Sequence, residues 1–214
     1  LRHEINVALP CWITHLAMKI KVGIIFGGRS KEREISFAGG RTVYDNLSKS
    51  LFEPVPIFVD SFNNLVLLDW QYIYKGSIRD FYPAPELVPP GKGEFQVYAE
   101  SLAEGNPELQ EQLIASIGKK ISVENLSKMI DFAFLCLHGP YGEDGRIQGL
   151  LEHFQIPYSG SGILPSAIGI NKLVQKKLMA SAGFSTPAYY SIRRNDWLSG
   201  AVDMPELAKK TETE

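Results

Sequence analysis

Cysteine is scarce in this chain: Cys11 and Cys136 are the two among 214 residues, too few for a disulfide framework. Cys136 lies inside an apolar run, Phe132 to Leu137, and so reads as a buried, reduced thiol; a reducing, cytoplasmic setting follows. Neither sign of charge dominates, with 22 Lys and Arg against 24 Asp and Glu. That balance removes the electrostatic basis for binding nucleic acid or an anionic membrane. No stretch approaches the roughly 18 consecutive apolar residues of a membrane-spanning helix. A dinucleotide fingerprint is missing as well. The first strand is followed by GGRSKE rather than G-x-G-x-x-G, and Asp60, the acid after the second strand, stands beyond the usual spacing.

What is present is the composition of a globular protein, 44% hydrophobic and 21% charged, enough to bury a sizeable core. The stretch from Phe134 to Leu164 carries the clearest site signal. An apolar strand breaks at His138-Gly139-Pro140, turns through Gly142, Glu143, Asp144 and Gly145, and becomes helical. Ile147, Leu150, Leu151 and Phe154 then fall on one stripe. Strand, glycine loop and amphipathic helix are the parts from which α/β proteins build ligand sites at strand carboxyl ends. His138 stands where a ligand would sit.

Residues 1–17 fit poorly with the rest of the chain. Pro10 and His15 interrupt the apolar run, Glu4 spoils a basic start, and no small-residue cleavage pattern appears. They are expected to be a non-native leader or disordered tail, with Met18 as the natural start. Ile20 to Phe26 reads as a buried parallel strand, ended by Gly27-Gly28. Ser30 is placed to cap a helix whose expected inner face is Ile35, Gly39, Val43 and Leu47, with Ala38-Gly39-Gly40 permitting close backbone approach. Pro54 to Val59 is a second strand, completing a βαβ unit. Two readings of Glu32 stay open on spacing: it complements the helix dipole, or it holds a cation such as a substrate ammonium.

From residue 61 to 131 the pattern shows a turn at Asn63-Asn64, a short strand at Val66 to Leu68, and a proline-rich stretch from Pro83 to Gly93. Short helices are expected around Leu109 to Ile117 and Ser122 to Met129. Beyond the Ser159-Gly160-Ser161-Gly162 turn, Ser166 to Ala182 is helical by pattern, with Ile170, Leu173, Val174 and Leu178 on one face and Gly183 as its stop. Lys172, Lys176 and Lys177 lie on this helix, where solvation is the ordinary role of a lysine. Ala188 to Ile192 reads as a further strand, and the tail from Asn195 as frayed.

Three segments, GIIFGGRSKEREIS, LHGPYGEDGRIQGLLEHFQIPYSGSG and INKLVQKKLMASAGFSTP, together resemble the D-alanine–D-alanine ligases of the ATP-grasp superfamily. The resemblance runs from Lys19 to about Ile192, with 61–131 as a variable insertion. It implies an α/β fold: a mainly parallel sheet with flanking helices over 18–162, the Rossmann-like domain that precedes an ATP-grasp domain, and the start of that ATP-grasp domain over 163–214. It also implies joining of two D-alanines through an acyl phosphate, in the cytoplasm, for peptidoglycan synthesis, and a homodimer formed through the N-terminal domain. Residue by residue, Glu32 is implied to contact the ammonium of the first D-alanine. His138 would lie by the substrate and its phosphorylated carboxylate, and Lys172 would contact an ATP phosphate. Asn171 stands where the family commonly has aspartate.

The family's second lysine, phosphate-covering loop, oxyanion arginine and acidic Mg²⁺ ligands have no counterpart from Arg193 to Glu214. ATP and Mg²⁺ are the implied cofactors, with no metal ligand expected in this chain. The expectation is a ligase chain that is catalytically incomplete by itself. Its rivals are a non-catalytic amino-acid-binding or regulatory module and a ligase of other acceptor specificity, such as D-alanine–D-lactate.

Overall fold

The computed structural model describes residues 19–60, 62–74 and 107–212. The expected leader, the Met18 start and the proline-rich stretch lie outside the described residues. Ile20–Gly27 forms β1, and its side chains alternate between two clusters. Val22, Ile24 and Phe26 pack on one face and Ile25 on the other, none of them more than 3% exposed. A strand buried on both faces belongs to the interior of an α/β sheet. It pairs in parallel with β2 (Phe52–Val59) on one side and β5 (Phe132–Leu135) on the other.

Beyond β2, β3 (Leu65–Leu68) and β4 (Gly118–Ile121) add antiparallel, giving the order β4-β3-β2-β1-β5. The sheet is therefore mixed, parallel from β2 to β5 and antiparallel at the far edge. No sequence pattern marks β4, because GKKI is too short for an alternation to show; its two lysines suit an edge strand. Pro54 and Pro56 lie in the half of β2 that β3 does not reach, where a missing N–H leaves no bond to that side unmade.

Helices cover both faces. α1 (Arg33–Asn46) and α2 (Pro107–Ile117) pack through Phe37, Ile114 and Ile117 on the Phe26 side. α3 (Val123–Met129) and α4 (Arg146–His153) pack through Leu126 and Leu151 on the Ile25 side. The expected stripe of α4 is confirmed, with Leu151 fully buried and Ile147 and Phe154 packed around it. Burial of each such side chain contributes roughly 1.5–3 kcal/mol.

The expected inner face of α1 holds at Val43 and Leu47, which pack against the core on the Phe26 side, and needs correction at its start. Ile35 is 61% exposed, and the buried residues are Arg33, Ser36, Phe37 and Gly40. Phe26 selects this face. Its ring meets Phe37 edge-on at 5.3 Å, and a Cβ on Gly40 would stand 2.5 Å from it. Gly40 rather than Gly39 is thus where the helix closes on the sheet.

The chain divides into two compact units, Leu1–Ser166 and Ala167–Glu214. The single helix expected over Ser166 to Ala182 is two, α5 (Ile163–Ile170) and α6 (Lys172–Ser181). Asn171 breaks them apart: its backbone is extended and its side chain accepts the Val174 N–H at 3.2 Å, capping α6. Gly183, at φ 83°, ends α6 with paired bonds from Gly183 N–H to Ala180 and from Phe184 N–H to Met179, both 3.0 Å. The strand expected over 188–192 does not form, and the tail expected to fray is helical instead, as α7 (Arg194–Leu198) and α8 (Met204–Glu212). No residue of α5, α6 or α7 is buried. Among the described residues no helix is long and apolar enough to cross a membrane.

Two outcomes test this packing. Gly39→Ala, whose Cβ would meet Cys136 at an ordinary 3.9 Å, should stabilise by about 0.5–1 kcal/mol through helix propensity. Gly40→Ala should instead lose roughly 1–2 kcal/mol, because overpacking against Phe26 outweighs that gain; denaturant melts of the pair check the sign. Burial also pushes the Cys136 thiol up to about 11. At about pH 8.5, where an ordinary thiol is half ionised, iodoacetamide should label Cys136 far more slowly in the folded protein than in denaturant. Equal rates, read on the Cys136 peptide, would place that thiol outside the core.

Candidate functional site

β1 ends at two glycines in the left-handed region, Gly27 at φ 96° and Gly28 at φ 89°. A side chain at Gly27 would strike the Phe58 ring and the Val59 carbonyl, both at 2.6 Å. The chain therefore leaves the sheet sharply and enters the turn before α1. Ser30 does not cap the helix directly, as α1 begins at Arg33. Its hydroxyl accepts the Glu32 N–H at 3.1 Å, and its carbonyl accepts Arg33 Nη1 at 2.9 Å. Ser36 Oγ accepts the Gly27 N–H at 2.8 Å. Ser30, Arg33 and Ser36 are buried and together lash the turn to the strand end.

This leaves Glu32 exposed at the N-cap of α1, where its side chain makes no capping hydrogen bond. Glu34 is the acid in the first turn of the helix. The Glu32 carboxylate lies instead against the neighbouring loop, its Oε2 standing 2.7 Å from where a Cβ on Gly139 would be. Gly139, at φ 68°, is what permits the approach.

That loop follows β5. His138 is half-buried at its start, with Nδ1 3.8 Å from Glu143 Oε1, a charged pair only when the imidazole is protonated. Glu143 Oε2 accepts the Gly139 N–H at 2.7 Å. Asp144 Oδ2 accepts the Tyr141 N–H at 2.8 Å, and its Oδ1 accepts the Arg146 N–H at 3.2 Å. Tyr141 adopts φ 72°, a left-handed conformation costing a non-glycine residue about 1–2 kcal/mol. The guanidinium carbons of Arg29 and Arg146 lie 4.8 and 4.4 Å from its ring centroid. Buried Gln148 donates to the Gly142 carbonyl at 2.9 Å, closing the loop onto α4.

Between the strand ends and α4 lies a cavity of about 190 Å³, mostly apolar through Val59, Leu65, Leu137 and Leu150, with His138 and Tyr141 in its wall. Asp60, the acid that the fingerprint test left over, is spent on the turn between β2 and β3. It accepts the N–H groups of Phe62 and Asn64 and the Asn64 side chain, each at 2.8 Å.

The structure thus brings the Glu32 carboxylate to Gly139, the residue that follows His138. Lys172 belongs to the second unit, at the start of α6, with Nζ donating to the Gly169 carbonyl at 2.9 Å. Among the described residues no three metal-binding side chains cluster. Sequence reasoning missed Arg33 and Ser36 as supports and Glu143, Asp144, Tyr141 and Arg29 as loop fasteners. The one available signal was two carboxylates within a glycine turn, which commonly bond their own loop's N–H groups. Chemically, the arrangement presents an exposed carboxylate for a cation beside an imidazole able to donate to an anion.

Residues 21–161 match the family model described as the D-Ala–D-Ala ligase N-terminus. The D-alanine–D-alanine ligase of Geobacillus thermodenitrificans is 32% identical over 183 residues, 86% of this chain and 45% of the relative. That of Mycobacterium leprae is 33% identical over 181 residues, 82% and 44% of the two chains. This chain therefore spans less than half the length of those relatives. Among solved structures, the D-alanine–D-alanine ligase from Coxiella burnetii superposes with a TM-score of 0.59 at 22% identity, over 83% of this chain and 46% of that one. A D-Ala:D-Ser ligase from Enterococcus faecalis gives 0.57 at 24% identity, over 85% and 47%. At such identities the structural likeness establishes the fold alone. The family model spans both loops of the site, and on that match the chain belongs to the family of D-alanine–D-alanine ligase N-terminal domains.

Proposed function

We propose that this chain supplies the first-substrate site of an ATP-dependent ligase that joins two D-alanines through an acyl phosphate. The observation that carries the reading is the Glu32 carboxylate lying over Gly139, next to His138. A carboxylate left uncapped at a strand end can hold a substrate ammonium, and holding it orients the substrate's own carboxylate for phosphorylation. His138, on the same edge, donates a hydrogen bond to that carboxylate and to the charge that builds on it. Lys172 is the residue assigned to an ATP phosphate. ATP supplies the phosphoryl group and Mg²⁺ neutralises its charge. This chain spans under half the length of its relatives, and on this reading the Mg²⁺ ligands lie in the part it does not span. The same reading places the enzyme in the cytoplasm, in peptidoglycan precursor synthesis.

Binding to the whole 214-residue chain tests it directly. D-alanine should shift the amide resonances of Glu32, His138 and Gly139 saturably, with a dissociation constant on the order of 1 mM, and L-alanine should bind more weakly. Glu32→Gln should weaken D-alanine at least about tenfold, the loss of a charge-assisted hydrogen bond. Absence of saturable shifts, or a Glu32→Gln chain that binds unchanged, would overturn the reading. A backbone control accompanies it. Gly139→Ala places a methyl 2.6 Å from Ser30 Oγ and 2.7 Å from Glu32 Oε2, and should cost about 1–2 kcal/mol of stability and abolish binding. Gly160→Ala, at φ 100° with nothing within 4 Å, should lose stability alone.

A further inference from the structure

We propose that Tyr141 is a positioning residue: its ring, gripped by Arg29 and Arg146, holds the turn before α1 and the loop after β5 in register, so that Glu32 and His138 address one ligand. The inference deepens the reading of those two residues as a substrate site and rests on it. Arg29 belongs to the first segment and Tyr141 to the second. Their contact at 4.8 Å is therefore a side-chain bridge between the two halves of the site, added to the packing of Glu32 on Gly139.

The rest of the arrangement fixes the ring in place. Asp144 holds the Tyr141 N–H at 2.8 Å and pairs with Arg146 at 3.3 Å. Arg146 in turn lies 4.4 Å over the Tyr141 ring, so backbone, carboxylate, guanidinium and ring form one closed circuit. Within that circuit Tyr141 keeps a left-handed backbone, at φ 72°, which an L side chain adopts only when its surroundings hold it there. Arg29 has no carboxylate partner among the described residues, so the ring face is its principal contact. Nothing among the described residues bonds the Tyr141 hydroxyl either. What the molecule uses is the quadrupole of the ring, which attracts a cation whether or not a hydroxyl is attached.

The test compares Tyr141→Phe, Tyr141→Leu and Arg29→Gln, read by amide hydrogen exchange and by D-alanine titration. In Tyr141→Leu and Arg29→Gln, the Gly139 amide should exchange about tenfold faster. The Cys136 amide, bonded to Ile25 at 2.9 Å in the sheet, should keep its wild-type rate. D-alanine affinity should fall about tenfold in both, while Tyr141→Phe should match wild type in every readout. The proposal is overturned if Arg29→Gln leaves the Gly139 amide at its wild-type rate. It is equally overturned if Tyr141→Phe is as disruptive as Tyr141→Leu, since the hydroxyl would then be what matters. Were the wild-type chain to bind no D-alanine, the substrate reading would fall, and the exchange rates would still decide whether Tyr141 couples the loops.

Discussion

Parallel pairing of β1 with β5, from Val22 beside Phe132 to Ile25 beside Leu135, is the constraint on which the site depends. Parallel neighbours finish at the same edge of a sheet, so the turn after Gly27 and the loop after Leu135 emerge side by side. Had β5 run the other way, the loop that carries His138 and Gly139 would have left from the opposite edge, and Gly139 could not have met Glu32. The pairing is itself a consequence of burial. β1 is apolar on both faces, and only a central place between helical layers removes both faces from water.

Position at the edge is not enough, because a turn rich in glycine has many conformations to lose. The segment after β1 is restrained by three polar residues folded inward: Ser30, Arg33 and Ser36. Burying a guanidinium is costly unless it is hydrogen-bonded, and Arg33 bonds the Ser30 carbonyl. Their burial turns Glu32 outward. Glu32 stands at the N-cap of α1 without a capping hydrogen bond, so its carboxylate oxygens are not spent on the helix's own N–H groups.

The second loop is built by the same logic with acids in place of hydroxyls. Glu143 and Asp144 each accept backbone N–H groups of their own loop. Charged acceptors make the stronger kind of hydrogen bond, and here they offset a left-handed Tyr141. Glu143 serves twice, since its second oxygen faces His138. The carboxylate that fastens the loop thus also lies 3.8 Å from the imidazole.

Much of this was legible without coordinates. The apolar, β-branched run from Ile20 to Phe26, the stripe of Ile147, Leu150, Leu151 and Phe154, and the glycine breaks after both strands are local signals, written within a few residues of where they act. So were Glu32 and His138 as candidates, each standing at a strand end. Other features were not local. The buried face of α1 is chosen by Phe26, a residue on another element. β4 exists because β3 offers it an edge, whereas 188–192, which pairs with no strand among the described residues, stays irregular. The break at Asn171 rests on a residue type that favours N-caps over helix interiors, and an unbroken apolar stripe across it hid that signal. By itself the sequence determined which segments could be strands, helices and glycine turns, because periodicity and turn chemistry act along the chain. Only the tertiary structure decided that Glu32 meets Gly139 and that Arg29 meets Tyr141, because strand pairing alone brings such distant residues within reach.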